Sequence, residues 1–187
     1  QGIWVAGSGS ITIPQSSKVT TPAMFIKNTT VPNGFSIVLS SDINTYSCDA
    51  TFSLDPVADN QLDIKDITHL KSRNESAPYI SSVVDNQNVR LNKFNNNEQI
   101  LTFPLNVYLP ENENYEITIN DIDNFDGYSC VYMVDSISGM QYDLKETNSF
   151  TFQPNLVGEE ETRFVLIMAK GNCENIADFS LSNSNVD

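Results

Sequence analysis

Short apolar runs with a two-residue period, separated by turn residues, restrict the fold of this chain more than any other feature. In YEITIN, residues 115–120, tyrosine and isoleucine alternate with polar residues. Successive side chains of a strand point to opposite faces, so this run is typical of an antiparallel strand with one buried and one solvated face. RFVLIMA, residues 163–169, is apolar on both faces and predicts a central strand that is covered on both sides.

Similar runs, rich in β-branched and aromatic residues and bounded by Gly, Pro, Asn and Asp, occur along the whole chain, whereas helical periodicity is nearly absent. We therefore predict an all-β fold, an antiparallel β-sandwich of Ig-like or jelly-roll-like form, as one sandwich with a partial sheet or as two packed β modules. The expected strands are 2–6, 10–13, 23–27, 35–40, 50–54, 62–64, 80–84, 88–92, 99–108, 114–120, 130–135, 141–144, 149–153 and 162–169.

The chain changes character near Pro110, from Asn- and Ser-rich and irregular to cleanly alternating. This change predicts a soft boundary, with an irregular β-rich module at 1–109, β-sandwich strands at 110–173 and a linker tail at 174–187. The abrupt start, QGIWVAG, suggests a processed or excised piece of a longer protein.

Charge narrows the range of partners. The 187 residues include 24 acidic and 10 basic side chains, a net charge of −14. Such a surface repels nucleic acid and anionic membranes, and no apolar run approaches the roughly 18 residues that a membrane span needs. The charge predicts an acidic, soluble surface, with a cation-binding face as the alternative.

Three cysteines, Cys48, Cys130 and Cys173, are present without a C-x-x-C pair, so the spacing indicates neither a zinc site nor a dithiol redox motif. Cys130 opens one expected strand and Cys173 follows another. If both chain segments meet at one edge of the sandwich, a Cys130–Cys173 disulfide forms; otherwise both remain thiols.

DIDNFDG, residues 121–127, resembles a calcium loop in part, because Asp121, Asp123 and Asp126 precede a glycine. Phe125 and Tyr132 stand where an EF-hand needs oxygen ligands. Aspartate and asparagine are also the ordinary residues of turns between strands. The stretch is therefore interpreted as a structural turn, with calcium binding by the three aspartates as the alternative.

Catalytic motifs are not evident. His69 is the only histidine, and DITHLKS around it contains no nucleophile elbow or paired ligand, so we interpret it as an exposed loop or strand-end residue. Acidic residues cluster in loop-like stretches, as expected for a solvated surface, although a hydrolytic carboxylate pair can be recognised only in the fold. We predict a protein that is not an enzyme and needs no cofactor other than the possible calcium.

A second function is suggested by four aromatic residues, Trp4, Tyr108, Tyr128 and Tyr132. Side chains of this kind can form a platform on which sugar rings stack, although packing in the core or at an edge is the commoner role. A carbohydrate-binding module, with calcium assistance, is therefore the alternative to a structural module.

The order of features in residues 114–168 is similar to that of a known segment. A strand leads to an Asn-Phe-Asp turn; then follow VYMVD, a Gly-containing turn, Asp-Leu, a Phe-rich strand and RFVL. The residues at these points are Asp135, Gly139, Asp143, Leu144, Phe150, Phe152, Arg163 and Phe164. This order resembles the region that precedes the C-terminal sorting domain in Bacteroidota proteins exported by type IX secretion, and the opening QGIWVAG resembles the GQGFWV stretch found upstream in many of them.

The resemblance implies a secreted or cell-surface β-sandwich that serves as a stalk, adhesin or secretion-linked domain, without catalytic residues to carry over. Its expected partners are the type IX secretion machinery or other cell-surface proteins, with a glycan as the alternative, and its expected location is extracellular or attached to the outer membrane. The resemblance predicts a sorting domain after Asp187, and because the sequence ends there, we expect a fragment or a processed product.

The hairpin at 128–154 then has a structural interpretation. We expect Val131, Met133, Phe150 and Phe152 to fill the core and the strand at 162–169 to close it.

Overall fold

Alternating β-branched and aromatic residues form strands over most of the chain in the computed structural model, which describes residues 33–171 together with Thr12 and Cys173. A short 3-10 helix occupies Ile122–Asn124. The strands are β1 (Gly34–Ser41), β2 (Ser47–Leu54), β3 (Ile67–Thr68), β4 (Tyr79–Val84), β5 (Gln87–Phe94), β6 (Ile100–Tyr108), β7 (Tyr115–Asn120), β8 (Cys130–Asp135), β9 (Gln141–Asp143), β10 (Ser149–Phe152) and β11 (Glu160–Ala169).

These strands form one mixed sheet, in the order β10-β7-β1-β2-β5-β4-β6-β11-β8-β9, with β3 paired to β5 outside this path. The described pairs are antiparallel except β2 and β5, which run parallel from Thr51 beside Leu91 to Leu54 beside Phe94. The sheet curls until its two terminal strands face each other: Tyr142 of β9 stacks on Phe150 of β10 with ring centroids 3.6 Å apart.

The all-β prediction is confirmed, whereas the finer expectation of an antiparallel sandwich is not, because the sheet is continuous and contains a parallel pair. Pairing also crosses the boundary that we placed between residues 109 and 110. There β1 pairs with β7 and β6 with β11. That boundary therefore lies inside one hydrogen-bonded sheet.

One large core lies on the inner face of this sheet. It takes residues from both sides of residue 110, among them Phe35, Phe52, Leu105, Ile117 and Phe164, all fully buried. The two strands with the clearest sequence patterns, β7 and β11, bury the faces that the sequence predicts.

Tyr115 and Ile117 are buried in β7 while Asn120 is exposed. In β11, Leu166 and Met168 join the core, and Ile167 and Ala169 join a second, smaller apolar cluster on the opposite face. The strand is covered on both sides and lies between β6 and β8, as predicted.

Only one expected strand within the described residues is wrong, that at 62–64, which lies in a loop before β3. Asp63 explains the difference. Its carboxylate accepts hydrogen bonds from the backbone N–H groups of Asp59 at 3.0 Å and Lys65 at 2.6 Å, which folds the segment into a turn instead of a ladder. The expected strands at 2–6, 10–13 and 23–27 lie outside the described residues, apart from Thr12.

Candidate functional site

A groove runs over the surface formed by β2, β3 and β5. It consists of two adjoining cavities, of about 450 and 620 Å³, which share Ile67 and Arg90 in their linings. Both volumes lie in the range of small-molecule sites. We call the two cavities together the β2–β5 groove.

The parallel pairing of β2 and β5 builds one end of this groove. It sets Thr51 beside Leu91 and Ser53 beside Lys93, and all four residues line the larger cavity. Ile67 of β3, which pairs with Leu91, supplies the neighbouring wall. This end therefore combines small hydroxyl side chains and apolar ones with the amine of Lys93.

Partly exposed apolar side chains line the smaller cavity. Tyr46, Ile67 and Leu70 line the smaller cavity and are 45%, 55% and 61% exposed. A large apolar side chain that stays in water gains nothing for folding. Three of them border this one groove, where a bound ligand would cover them.

An ion pair marks the junction of the two cavities. Arg90 donates from Nη2 to Asp49 Oδ1 at 2.5 Å and from Nε to Oδ2 at 3.4 Å, and Thr51 Oγ1 donates to Oδ2 at 3.2 Å. Although burial alone would raise the pKa of Asp49, the hydrogen bond and charge of Arg90 lower it. The pair therefore stays ionised at neutral pH and presents donors and an acceptor side by side.

His69 lies at the end of β3, the strand-end position that the sequence indicates, but it is half-buried. Its backbone N–H donates to Asn88 O at 2.7 Å, and its ring lies 4.6 Å from the ring of Tyr79. Both ring nitrogens are buried and have no hydrogen-bond partner among the described residues. Burial, and then the charge of Arg90, lower the pKa of His69, so the imidazole is neutral and lines the smaller cavity as a ring.

Glu160, at the start of β11, is the centre of a polar network beside the groove. It accepts hydrogen bonds from Tyr79 Oη, from Lys71 Nζ at 2.8 Å, and from Asn88 and Asn106 Nδ2 at 2.9 Å each. Although burial opposes ionisation, these donors hold the pKa of Glu160 down to about 2. Burial and the bond to Glu160 raise the pKa of Tyr79 to about 12. Both groups thus keep one protonation state near neutral pH.

The three aspartates proposed as calcium ligands lie in or next to the 3-10 helix. Asp121 precedes the helix with a positive φ of 64°, and its carbonyl accepts from Asn124 N at 3.0 Å, while Asp123 and Asp126 are exposed. Ile122 and Phe125 point into the core. These contacts describe a structural turn. Residues 33–171 contain no group of three or more His, Cys, Asp or Glu side chains placed to share a metal ion, and calcium binding here stays a prediction.

Cys130 and Cys173 form a disulfide, with Cα atoms 5.6 Å apart. It joins the start of β8 to the segment that follows β11, the arrangement that we considered for these two residues. Cys48 is a free thiol at the wall of the smaller cavity, and burial raises its pKa, so it is protonated and a poor nucleophile.

The tyrosines considered as a sugar platform do not share one surface. Tyr128 is 1% exposed and packs in the core, with its hydroxyl donating to Glu98 O at 3.2 Å. Tyr108 is half-buried and stacks on Tyr79, with ring centroids 5.4 Å apart, while Tyr132 packs against the smaller apolar cluster. Trp4 lies outside the described residues.

The residues that carry the family resemblance have clear structural roles. Arg163 donates to both oxygens of Asp135, at 3.0 and 2.9 Å, and the two side chains are 5% and 2% exposed. The guanidinium lies 4.5 Å from the ring centre of Phe152 and 5.3 Å from that of Phe164. This buried cluster ties β8 and β11 to the Phe-rich strand β10.

The turns that follow β8 and β9 depend on neighbouring members of the same set. Gly139 has a φ of 72°, and its N–H donates to Asp135 O at 2.8 Å. Asp143 accepts from Lys145 N at 3.0 Å and Leu144 is fully buried. The resembling residues therefore hold one end of the fold together.

Reasoning from the sequence did not find the β2–β5 groove. Its walls come from separate stretches, at 46–56, 67–79 and 90–93, that only the parallel pairing of β2 with β5 brings together. The only local signal is the set of apolar residues in the polar stretch between β2 and β4, including Ile67 and Leu70.

Comparison of the chain with protein-family models, curated proteins and solved structures gave no significant match. Among the described residues, no helix is both long and apolar enough to cross a membrane.

Proposed function

We propose that this chain is a non-catalytic module of a secreted or cell-surface protein exported by type IX secretion, where it serves as a stalk or adhesive domain. The Cys130–Cys173 disulfide is the observation that carries the proposal. Disulfides persist in oxidising environments outside the cytoplasm, and a bond across 43 residues stabilises a folded module where chaperones are scarce.

The surroundings of the residues that are chemically suited to catalysis support the non-catalytic part of this proposal. The charges of Asp135 and Arg163 neutralise each other inside the protein, and Glu160 accepts four hydrogen bonds. A carboxylate whose pKa is about 2 cannot donate a proton near neutral pH. His69, without a partner for either ring nitrogen among the described residues, is not aligned with a nucleophile.

The resemblance over residues 114–168 supports the export route, because its members Asp135, Phe152 and Arg163 occupy one buried cluster. The cluster joins β8, β10 and β11, the strands that contain most of the resembling residues.

Surface exposure on the source organism tests this proposal. Antibody against the purified chain is expected to label intact cells or the culture medium, and external protease is expected to remove the label. A strain that lacks the type IX outer-membrane channel is expected to retain the protein inside the cell. A protein confined to the cytoplasm of the wild-type strain, with Cys130 and Cys173 reduced, would contradict the proposal.

A further inference from the structure

We propose that the β2–β5 groove binds a neutral saccharide that carries adjacent hydroxyl groups. The inference is independent of the export route proposed above. It rests on the charge of the groove lining, on the Asp49–Arg90 pair at its centre and on the apolar rim.

The lining carries no net charge. The charged residues of the two cavities are two carboxylates, Asp49 and Asp55, and two cations, Arg90 and Lys93. Arg90 contacts Asp49, and Asp55 lies 3.0 Å from Lys65, which is outside the lining, and 3.9 Å from Lys93. A lining whose formal charges sum to zero offers little attraction to an anionic polymer or an acidic peptide, so it favours a ligand without charge.

The Asp49–Arg90 pair suits hydroxyl groups. Its side chains remain 33% and 55% exposed, so the pair is accessible from the groove. A carboxylate accepts from one hydroxyl while the guanidinium donates to its neighbour, which is the pattern that two adjacent sugar hydroxyls complement. Thr51, which donates to Asp49 and also lines the cavity, adds a third polar atom on the same side.

The rim suits the apolar faces of a sugar ring. Tyr46 is 45% exposed at one end of the groove, and Ile67, at the point where the cavities meet, is 55% exposed. The neutral ring of His69 lines the same cavity as Tyr46. A sugar has apolar C–H faces and hydroxyl groups at its edges. Such a ligand binds where a flat apolar ring lies beside a few polar groups.

A glycan array with neutral and anionic oligosaccharides, followed by affinity electrophoresis in laminarin, xyloglucan, mannan and polygalacturonate, tests the inference on the full chain. We expect retention by at least one neutral glycan and none by polygalacturonate. Tyr46→Ala is expected to weaken that binding about tenfold, since loss of one stacking ring and its buried area is worth roughly that factor. The double change Asp49→Asn with Arg90→Gln, which leaves no unpaired charge, is expected to abolish it.

Met140→Ala is the matched control. Met140 is 55% exposed in the turn after β8, outside the groove lining, and its loss is expected to leave binding unchanged. Circular dichroism checks that each variant is folded. If the double variant unfolds, amide NMR of the wild-type chain titrated with the retained glycan replaces it, with shifts expected at Thr51, Ile67 and Leu91.

Three results would overturn the inference: no binding to any neutral glycan, retention by anionic glycans only, or neutral binding that survives both groove variants. NMR shifts confined to residues outside the groove would overturn it as well. Because the export proposal is measured by location on the cell, each proposal can fail without the other.

Discussion

Individual buried polar residues contribute strongly to the free energy of unfolding of this protein. Arg163 and Asp135 are almost completely enclosed, and their charges are satisfied by each other, by Ser138, which donates to Asp135 at 2.8 Å, and by Gln153 O, which accepts from Arg163 at 2.5 Å. Such a pair is costly to break, because the remaining partner stays buried and unpaired.

We expect Arg163→Met to lower the free energy of unfolding by about 3 to 5 kcal/mol. The exposed pair provides the control: Arg90→Gln is expected to cost at most about 1 kcal/mol, because water screens that interaction. Urea unfolding of both variants measures the difference. Equal losses would show that the buried position of Arg163 does not matter.

His69 makes stability depend on pH in the opposite way to a paired histidine. Its pKa is lowered in the folded protein, first by burial, so between that value and the unfolded value of about 6.5 the unfolded chain binds more protons. The contribution of His69 to the free energy of unfolding is therefore fully present above about pH 6.5 and is lost as the pH falls below that value. Since the chain has one histidine, no other imidazole obscures the effect.

We expect His69→Phe to remove this pH dependence and to raise stability at neutral pH by about 1 kcal/mol, because two buried nitrogens that have no hydrogen-bond partner in the described part of the chain are replaced by carbon. Urea unfolding at about pH 5.5 and about pH 7.5 measures both effects. An unchanged slope between the two pH values would show that His69 titrates normally in the folded state.

At the scale of elements, the disulfide joins β8 to the segment that follows the central strand β11. In the chain-entropy account, closing a loop of 43 residues stabilises the folded state by about 2 to 4 kcal/mol. We expect the variant with Cys130→Ser and Cys173→Ser to lose that amount in urea unfolding. Reductant is expected to shift the wild-type transition and not that of the variant.

Cys48→Ser is the control for this experiment, because Cys48 is outside the bond. Its transition is expected to keep the reductant sensitivity of the wild type. A double variant as stable as the oxidised wild type would contradict the stabilising role of the bond.

Local pattern was sufficient to predict most of these elements. Strands β1, β4, β7, β8 and β11 were predicted to within two residues, because alternation and turn residues are encoded in neighbouring positions. The prediction of a strand at 62–64 was wrong because the carboxylate of Asp63 accepts hydrogen bonds from nearby backbone N–H groups. Hydropathy does not indicate this local hydrogen bonding. The β2–β5 groove was not predictable, since Asp49 and Arg90 meet only through a parallel pairing 41 residues apart in sequence.

At the scale of the whole molecule, the residues between 33 and 171 share one sheet and one large core. Phe152 shows how far this coupling extends. It is 8% exposed, and its ring lies 5.1 Å from that of Phe164 and 6.1 Å from that of Tyr115. It therefore connects β10 with the central strand and with β7.

We expect Phe152→Ala to destabilise the entire described fold by about 3 to 5 kcal/mol, in one transition. Thr151→Ala, at an exposed position of the same strand, is expected to change stability by less than about 0.5 kcal/mol. Near-ultraviolet and far-ultraviolet circular dichroism, followed together during urea unfolding, should give coincident curves. Two separate transitions would instead support independent modules on either side of residue 110.

The contact between Tyr142 and Phe150 has a consequence for how copies of this chain behave at high concentration. The terminal strands β9 and β10 have only three and four residues, and their stacked rings turn them toward each other. A neighbouring chain finds little open backbone there on which to add a strand of its own. Many copies of this chain in a small volume are thus expected to stay separate molecules instead of growing into fibres.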